Sequence, residues 1–206
     1  MTEEQLWMLK VLCLLAGYAF GGFLTAEVVA RCMAGVGVSK IGTGRPSAAN
    51  IARCLGRPAG LAVTVGDVLK TILACWFCYK LAAPELEHVS ILYGGLGAVL
   101  GHIWPLWYRG RGGRGAVVAC TWIILYLPIT GVLCCLAGLV VVAGTGRRSL
   151  GAVLVPALAI PVAWVQFGIQ SGVAMLTVAL LLFWKYQTDP EEGKKEKPVI
   201  SHKWPF

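Results

Sequence analysis

The 206-residue chain is 57% hydrophobic and only 14% charged, where a soluble domain is about a quarter charged, and its net charge is +8. It cannot clothe a globule in solvated surface, which excludes a soluble enzyme, a disordered chain and a disulfide-framed secreted module. What is left is an all-α polytopic membrane protein, with room for roughly five to seven helical passes of about 20 residues.

The first apolar run, residues 6–30, follows an acidic Met1-Thr2-Glu3-Glu4 start and reads as a first span rather than a cleaved signal. Gly17, Gly21 and Gly22 give it a face small enough for close helix packing. Residues 31–60 are basic and glycine-rich, too broken to span. The second span, 61–83, carries Asp67 and Lys70 three residues apart and so on one helical face. Such an intramembrane pair is either a functional group or a tie between helices.

A short acidic turn with Glu85 and Glu87 leads to the third span, 89–107, which ends in Trp104, Pro105, Trp107 and Tyr108. The aromatics suit a membrane interface, and the proline stops the helix. Residues 116–146 hold no charge and are too long for one comfortable pass. Pro128 divides them, and two crossings hinged at 128–131 would put the clusters Arg109/Arg111/Arg114 and Arg147/Arg148 on one side, as the positive-inside rule favours. Spans at 150–167 and 173–186 complete about seven transmembrane helices, with a short interfacial helix besides. The N-terminus is expected outside and the basic loops inside. Residues 1–186 form the membrane domain, and 187–206 a charged, flexible cytoplasmic tail.

Eight cysteines mark no disulfide frame, because most sit in apolar runs. Cys75 and Cys78 have zinc spacing without a second pair, so no metal is expected. The basic clusters come with no soluble recognition fold, which argues against nucleic acid.

Two loops carry chemistry. In the first, Gly42-Thr43-Gly44-Arg45-Pro46-Ser47 leads into a helix stopped by Gly56 and Pro58, with Asn50, Arg53 and Arg57 expected on one face. This is an anion site in outline, or equally an interfacial helix whose arginines meet lipid headgroups. In the second, Gly101-His102 precedes Arg109-Gly110-Arg111-Gly112-Gly113-Arg114-Gly115, glycines interleaved with arginines that can wrap a phosphate. It lacks the Lys-Ser/Thr ending of a nucleotide loop.

At these residues the chain resembles the bacterial integral-membrane acyl-phosphate:glycerol-3-phosphate acyltransferase family. Residues 42–53 follow its first motif, Gly-Ser-Gly-Asn-x-Gly-Ala-Thr-Asn-x-x-Arg, in spacing, with Arg45, Ser47 and Ala49 departing in kind. Residues 101–105 and 111–115 follow its second, Gly-His-x-Phe-Pro and Lys-Gly-Gly-Lys-Gly. The resemblance implies acyl transfer from acyl phosphate to the 1-hydroxyl of glycerol 3-phosphate, giving lysophosphatidic acid in the bacterial plasma membrane, with no cofactor. It implies Thr43 and His102 as catalytic residues, and Asn50, Arg53, Arg111, Gly112, Gly113, Arg114 and Gly115 as substrate-binding ones. The family's third motif, His-Arg-x-Asn-Ile, is not recoverable from residues 184–192. The alternative is therefore a catalytically impaired relative that binds a phosphate ligand or regulates in the membrane. Acyl preference and oligomeric state are not encoded legibly.

Overall fold

The computed structural model describes residues 2–188, so the expected tail lies almost wholly outside the described residues. The described chain is all helical. Six segments are long and apolar enough to cross a membrane, and a seventh apolar helix is shorter.

The first apolar run is not one helix. α1 (Glu3–Gly21) starts at a capping box between Thr2 and Gln5, then breaks, and α2 (Thr25–Ala34) resumes after Leu24. The break leaves backbone carbonyls without helical partners, and distant side chains supply them. Lys70 Nζ donates to the Phe23 carbonyl at 2.8 Å, and Trp107 Nε1 to that of Gly22 at 2.8 Å. Nothing local in Gly-Gly-Phe-Leu announces this interruption.

A 3₁₀ turn (Val38–Lys40) and the glycine loop lead to α3 (Ala48–Leu55), which Ser47 caps through its hydroxyl. Gly56, at φ 97° and ψ 162°, ends α3, and α4 (Arg57–Ala82) starts on a new axis. The helical phase is lost there. Asn50, Arg53 and Arg57 therefore do not share a face: Asn50 is buried, Arg53 is exposed, and Arg57 belongs to α4.

α5 (His88–Ile103) lies against α1 with glycine meeting backbone on both sides. A Cβ on Gly17 or Gly21 would strike the backbone of Gly94 or Ala98, and one on Gly97 or Gly101 the carbonyl of Leu14 or Tyr18. The aromatic end of α5 is more than an interface anchor. The Tyr18 hydroxyl donates to the Trp104 carbonyl, and that of Tyr108 to Glu27 Oε2 at 2.6 Å. Glu27 also accepts from Arg31 Nε at 2.6 Å and the Val38 amide at 2.7 Å, and so ties α2, the Val38–Lys40 turn and the Leu106–Tyr108 turn beyond α5 together.

The uncharged stretch divides at Leu127 into α6 (Ala116–Tyr126) and α7 (Pro128–Thr145). Pro128 stands at the first position of α7, where its missing N–H costs nothing. The two fold back on each other, since a Cβ on Gly131 would meet Ile123 and Ile124. The two helices of this hinged pair are unequal. α6 has 11 residues, which gives it a length of only about 16 Å, so it reaches partway through a hydrocarbon core about 30 Å thick. α6 survives at that depth by burial: Val118, Trp122, Ile123 and Tyr126 are almost wholly covered by neighbouring helices. α8 (Arg148–Phe167) and α9 (Ile169–Thr188) form a hairpin turned at Gly168, each longer than the spans expected.

Candidate functional site

The first loop is built around Asn50. Its side-chain oxygen accepts from the Thr43 amide at 3.0 Å, and its Nδ2 donates to the carbonyls of Ile41 and Arg45, each at 3.0 Å. With the side chain 1% exposed, both its donors and its acceptor are engaged within the loop. The residue expected to touch substrate instead holds the loop's shape. Thr43 is half-buried, and its hydroxyl has no hydrogen-bond partner among the described residues. Arg53 extends from the exposed side of α3.

The second loop folds back over the end of α5. The amides of Gly112 and Gly113 donate to the carbonyls of Ile103 and His102 at 3.1 and 3.0 Å, so the loop leans on the helix end it has just left. Gly113 packs so closely that a Cβ there would collide with His102 Nε2 and come within 2.9 Å of the Pro46 carbonyl. The two loops, far apart in sequence, therefore touch through Pro46, Gly113 and His102. Arg111 is exposed at the loop's crest, while Arg114 turns inward and its guanidinium carbon stands 4.7 Å from the ring centre of Tyr186.

Beneath His102 lies a polar cluster buried among the helices. Lys70 Nζ contacts Asp67 Oδ1 at 2.8 Å and His102 Nδ1 at 2.8 Å, besides the Phe23 carbonyl. Thr25 Oγ1 donates to Asp67 Oδ1 at 2.6 Å. An ammonium has three protons, and here three acceptors surround it. Nδ1 of His102 is thereby assigned as an acceptor, and the imidazole proton falls on Nε2, the atom beneath Gly113. His102 thus presents a donor to the loops, not a base. The Asp67–Lys70 spacing showed that the two would meet; that they orient a histidine 32 residues onward was not visible in it.

A cavity of about 540 Å³ opens where these parts converge. At its polar end stand Ser47, Asp67, His102, Arg114, Arg148 and Tyr186. From there it continues as an apolar slot between α6, α7 and α8, walled by side chains such as Val117, Ile124, Leu139 and Val155. Of the residues expected at the site, His102, Arg114 and Gly115 line this cavity; Thr43, Asn50, Arg53, Arg111, Gly112 and Gly113 stand behind or beside it. Arg148 was not singled out for the site; it and Arg114, one residue from each of the last two basic clusters, line the same cavity. Where the third motif would begin, α9 brings buried Lys185 and Tyr186 toward the second loop, and residues 189–192 lie outside the described residues. The arrangement combines cations, amide-rich loops and a hydrogen-bond donor at the head of an apolar slot, which suits an amphiphilic anion.

A family model described as glycerol-3-phosphate acyltransferase matches residues 11–194. The glycerol-3-phosphate acyltransferase of Coxiella burnetii is 32% identical over 180 residues, covering 87% of this chain and 91% of its own. Glycerol-3-phosphate acyltransferase 1 of Lactobacillus acidophilus is 28% identical over 182 residues, 88% of this chain and 87% of its own. Among solved structures, PlsY (YgiH), an integral membrane glycerol 3-phosphate acyltransferase, in its glycerol 3-phosphate form has a TM-score of 0.75 at 22% identity over 87% of this chain and 88% of that one. Its lysophosphatidic acid form has a TM-score of 0.73 at 20% identity, with the same coverage.

Proposed function

The chain belongs to the glycerol-3-phosphate acyltransferase family, multi-pass membrane acyltransferases of phospholipid synthesis, and on that premise we propose that it acylates the 1-hydroxyl of glycerol 3-phosphate from acyl phosphate. The hydroxyl oxygen bonds to the acyl carbon, the bond from that carbon to the phosphate oxygen breaks, and the products are lysophosphatidic acid and inorganic phosphate. The observation that carries this reading is the cavity itself: a cationic mouth continuous with an apolar slot, able to hold an acyl chain with its activated end beneath both loops.

A mixed anhydride with a good leaving group asks little of a protein base, and none is required here. His102 offers its Nε2 proton to a developing oxyanion or a phosphate oxygen, held in that tautomer by Lys70. The proton of the attacking hydroxyl departs with the phosphate. Arg53, Arg111 and Arg114 offset substrate charge, Gly112 and Gly113 seat the second loop on the end of α5 so that Arg114 reaches the cavity, and the Thr43 hydroxyl orients the acceptor. Asn50 serves as a positioning residue for Thr43. No metal or organic cofactor enters the scheme. The membrane is the plasma membrane of a bacterium, with the N-terminus outside and both loops on the cytoplasmic side, where the water-soluble acceptor is available.

Purified protein in lipid or detergent, supplied with acyl phosphate and glycerol 3-phosphate, should release lysophosphatidic acid and phosphate in equal amounts. Turnover with a thioester donor but not with acyl phosphate would overturn the choice of donor. Folded protein inert with both would favour a non-catalytic phosphate binder.

A further inference from the structure

We infer that Arg148, which belongs to neither glycine–arginine loop, is the residue that grips the phosphate of the acyl donor. The inference rests on the acyl-transfer reading above and adds a residue and a division of labour to it.

Arg148 opens α8, and Arg148, Gly151, Ala152 and Val155 all line the cavity. Their spacing of three, four and seven puts them on one face of the helix. α6 repeats the pattern: Arg114 precedes the helix, and Val117, Cys120, Thr121 and Ile124 follow down its cavity face. Two walls of the slot therefore each carry an arginine at the head of a predominantly apolar stripe. An acyl phosphate has this form, because its phosphate is bonded directly to the carbonyl that ends the chain. Seating the chain along the stripes brings that phosphate to the two guanidinium groups. Glycerol 3-phosphate has no chain for a stripe to hold. In the acylated product the phosphate stands off from the carbonyl by the length of glycerol, beyond the head of the slot. Arg53 and Arg111, by contrast, are absent from the slot's walls and stand on the loops, where they can meet the soluble acceptor. A guanidinium binds phosphate through paired, charge-assisted hydrogen bonds, so arginine is suited to the task.

The test is steady-state kinetics of purified wild type, Arg148→Ala, Arg148→Lys and Arg147→Ala. Each substrate is varied while the other is saturating. Arg147 is the adjacent arginine and does not line the cavity. Arg148→Ala should raise KM for acyl phosphate about ten- to a hundredfold and leave KM for glycerol 3-phosphate within about twofold. Arg148→Lys should recover part of the loss, and Arg147→Ala should match wild type. An unchanged KM for acyl phosphate in Arg148→Ala, a parallel rise in both KM values, or an equal effect in Arg147→Ala overturns the inference. A wild type that makes no lysophosphatidic acid from acyl phosphate overturns the underlying reading and this inference with it, a result separate from the other three.

Discussion

The two glycine–arginine loops look alike in sequence and are stabilised in opposite ways. The first is organised from inside: Asn50 bonds to Thr43, Ile41 and Arg45 and so fixes the loop's own backbone. Among the described residues, no buried asparagine plays that part in the second. Gly112 and Gly113 lie on the carbonyls that end α5, and His102 beneath them is held in turn by Lys70. One loop is a self-contained fixture, and the other takes its shape from the helices below it. The lesson is that a polar residue inside a phosphate-loop motif need not be a phosphate ligand. Burial and hydrogen-bond satisfaction separate the support from the contact.

Three substitutions sharpen or break this contrast. The largest effect is expected at Arg114, which lines the cavity. Arg114→Ala should lower lysophosphatidic acid formation about a hundred- to a thousandfold with little change in unfolding temperature; an activity near wild type would remove the second loop from the chemistry. Next comes Asn50→Ala, which strands the Thr43 amide and takes one of two partners from each of the Ile41 and Arg45 carbonyls; it should cost about 1–3 kcal/mol of stability, read by unfolding in detergent. Asn50→Asp should not restore it, because a carboxylate cannot donate to Ile41 and Arg45. Full stability with lost activity would return Asn50 to the substrate-contacting role. The smallest effect is expected at Gly113→Ala, whose methyl would press on His102 Nε2. Turnover should fall about tenfold while stability changes by less than in Asn50→Ala. Equal losses of stability in both would show that the second loop, too, is an internally organised unit.

Much of the fold was legible because hydrophobic run length and charge placement report directly on the bilayer. The hinge at Pro128, the glycine face of α1 and the meeting of Asp67 with Lys70 all follow from local spacing. The break after Gly21 was not legible, since Phe23 and Leu24 are as apolar as their neighbours and the groups that satisfy it are 47 and 85 residues away. At the site, the motifs identified both loops, but only the packing of Pro46 against Gly113 shows that they touch. Arg148 was read as a topological marker because a basic residue between apolar runs ordinarily is one. Its stripe partners Gly151, Ala152 and Val155 carried the missing signal, which needed an opposing wall to mean anything.

The bond from Lys70 to the Phe23 carbonyl has a consequence for how the protein is made. When the first hydrophobic segment leaves the ribosome and enters the lipid phase, its bend exposes backbone oxygen that no residue yet synthesised can satisfy. Lys70 arrives 47 residues later and brings Asp67 with it. The carbonyl of Gly22 is met later still, by Trp107 beyond α5, so the bend reaches its final bonding only after two further hydrophobic segments have followed the first.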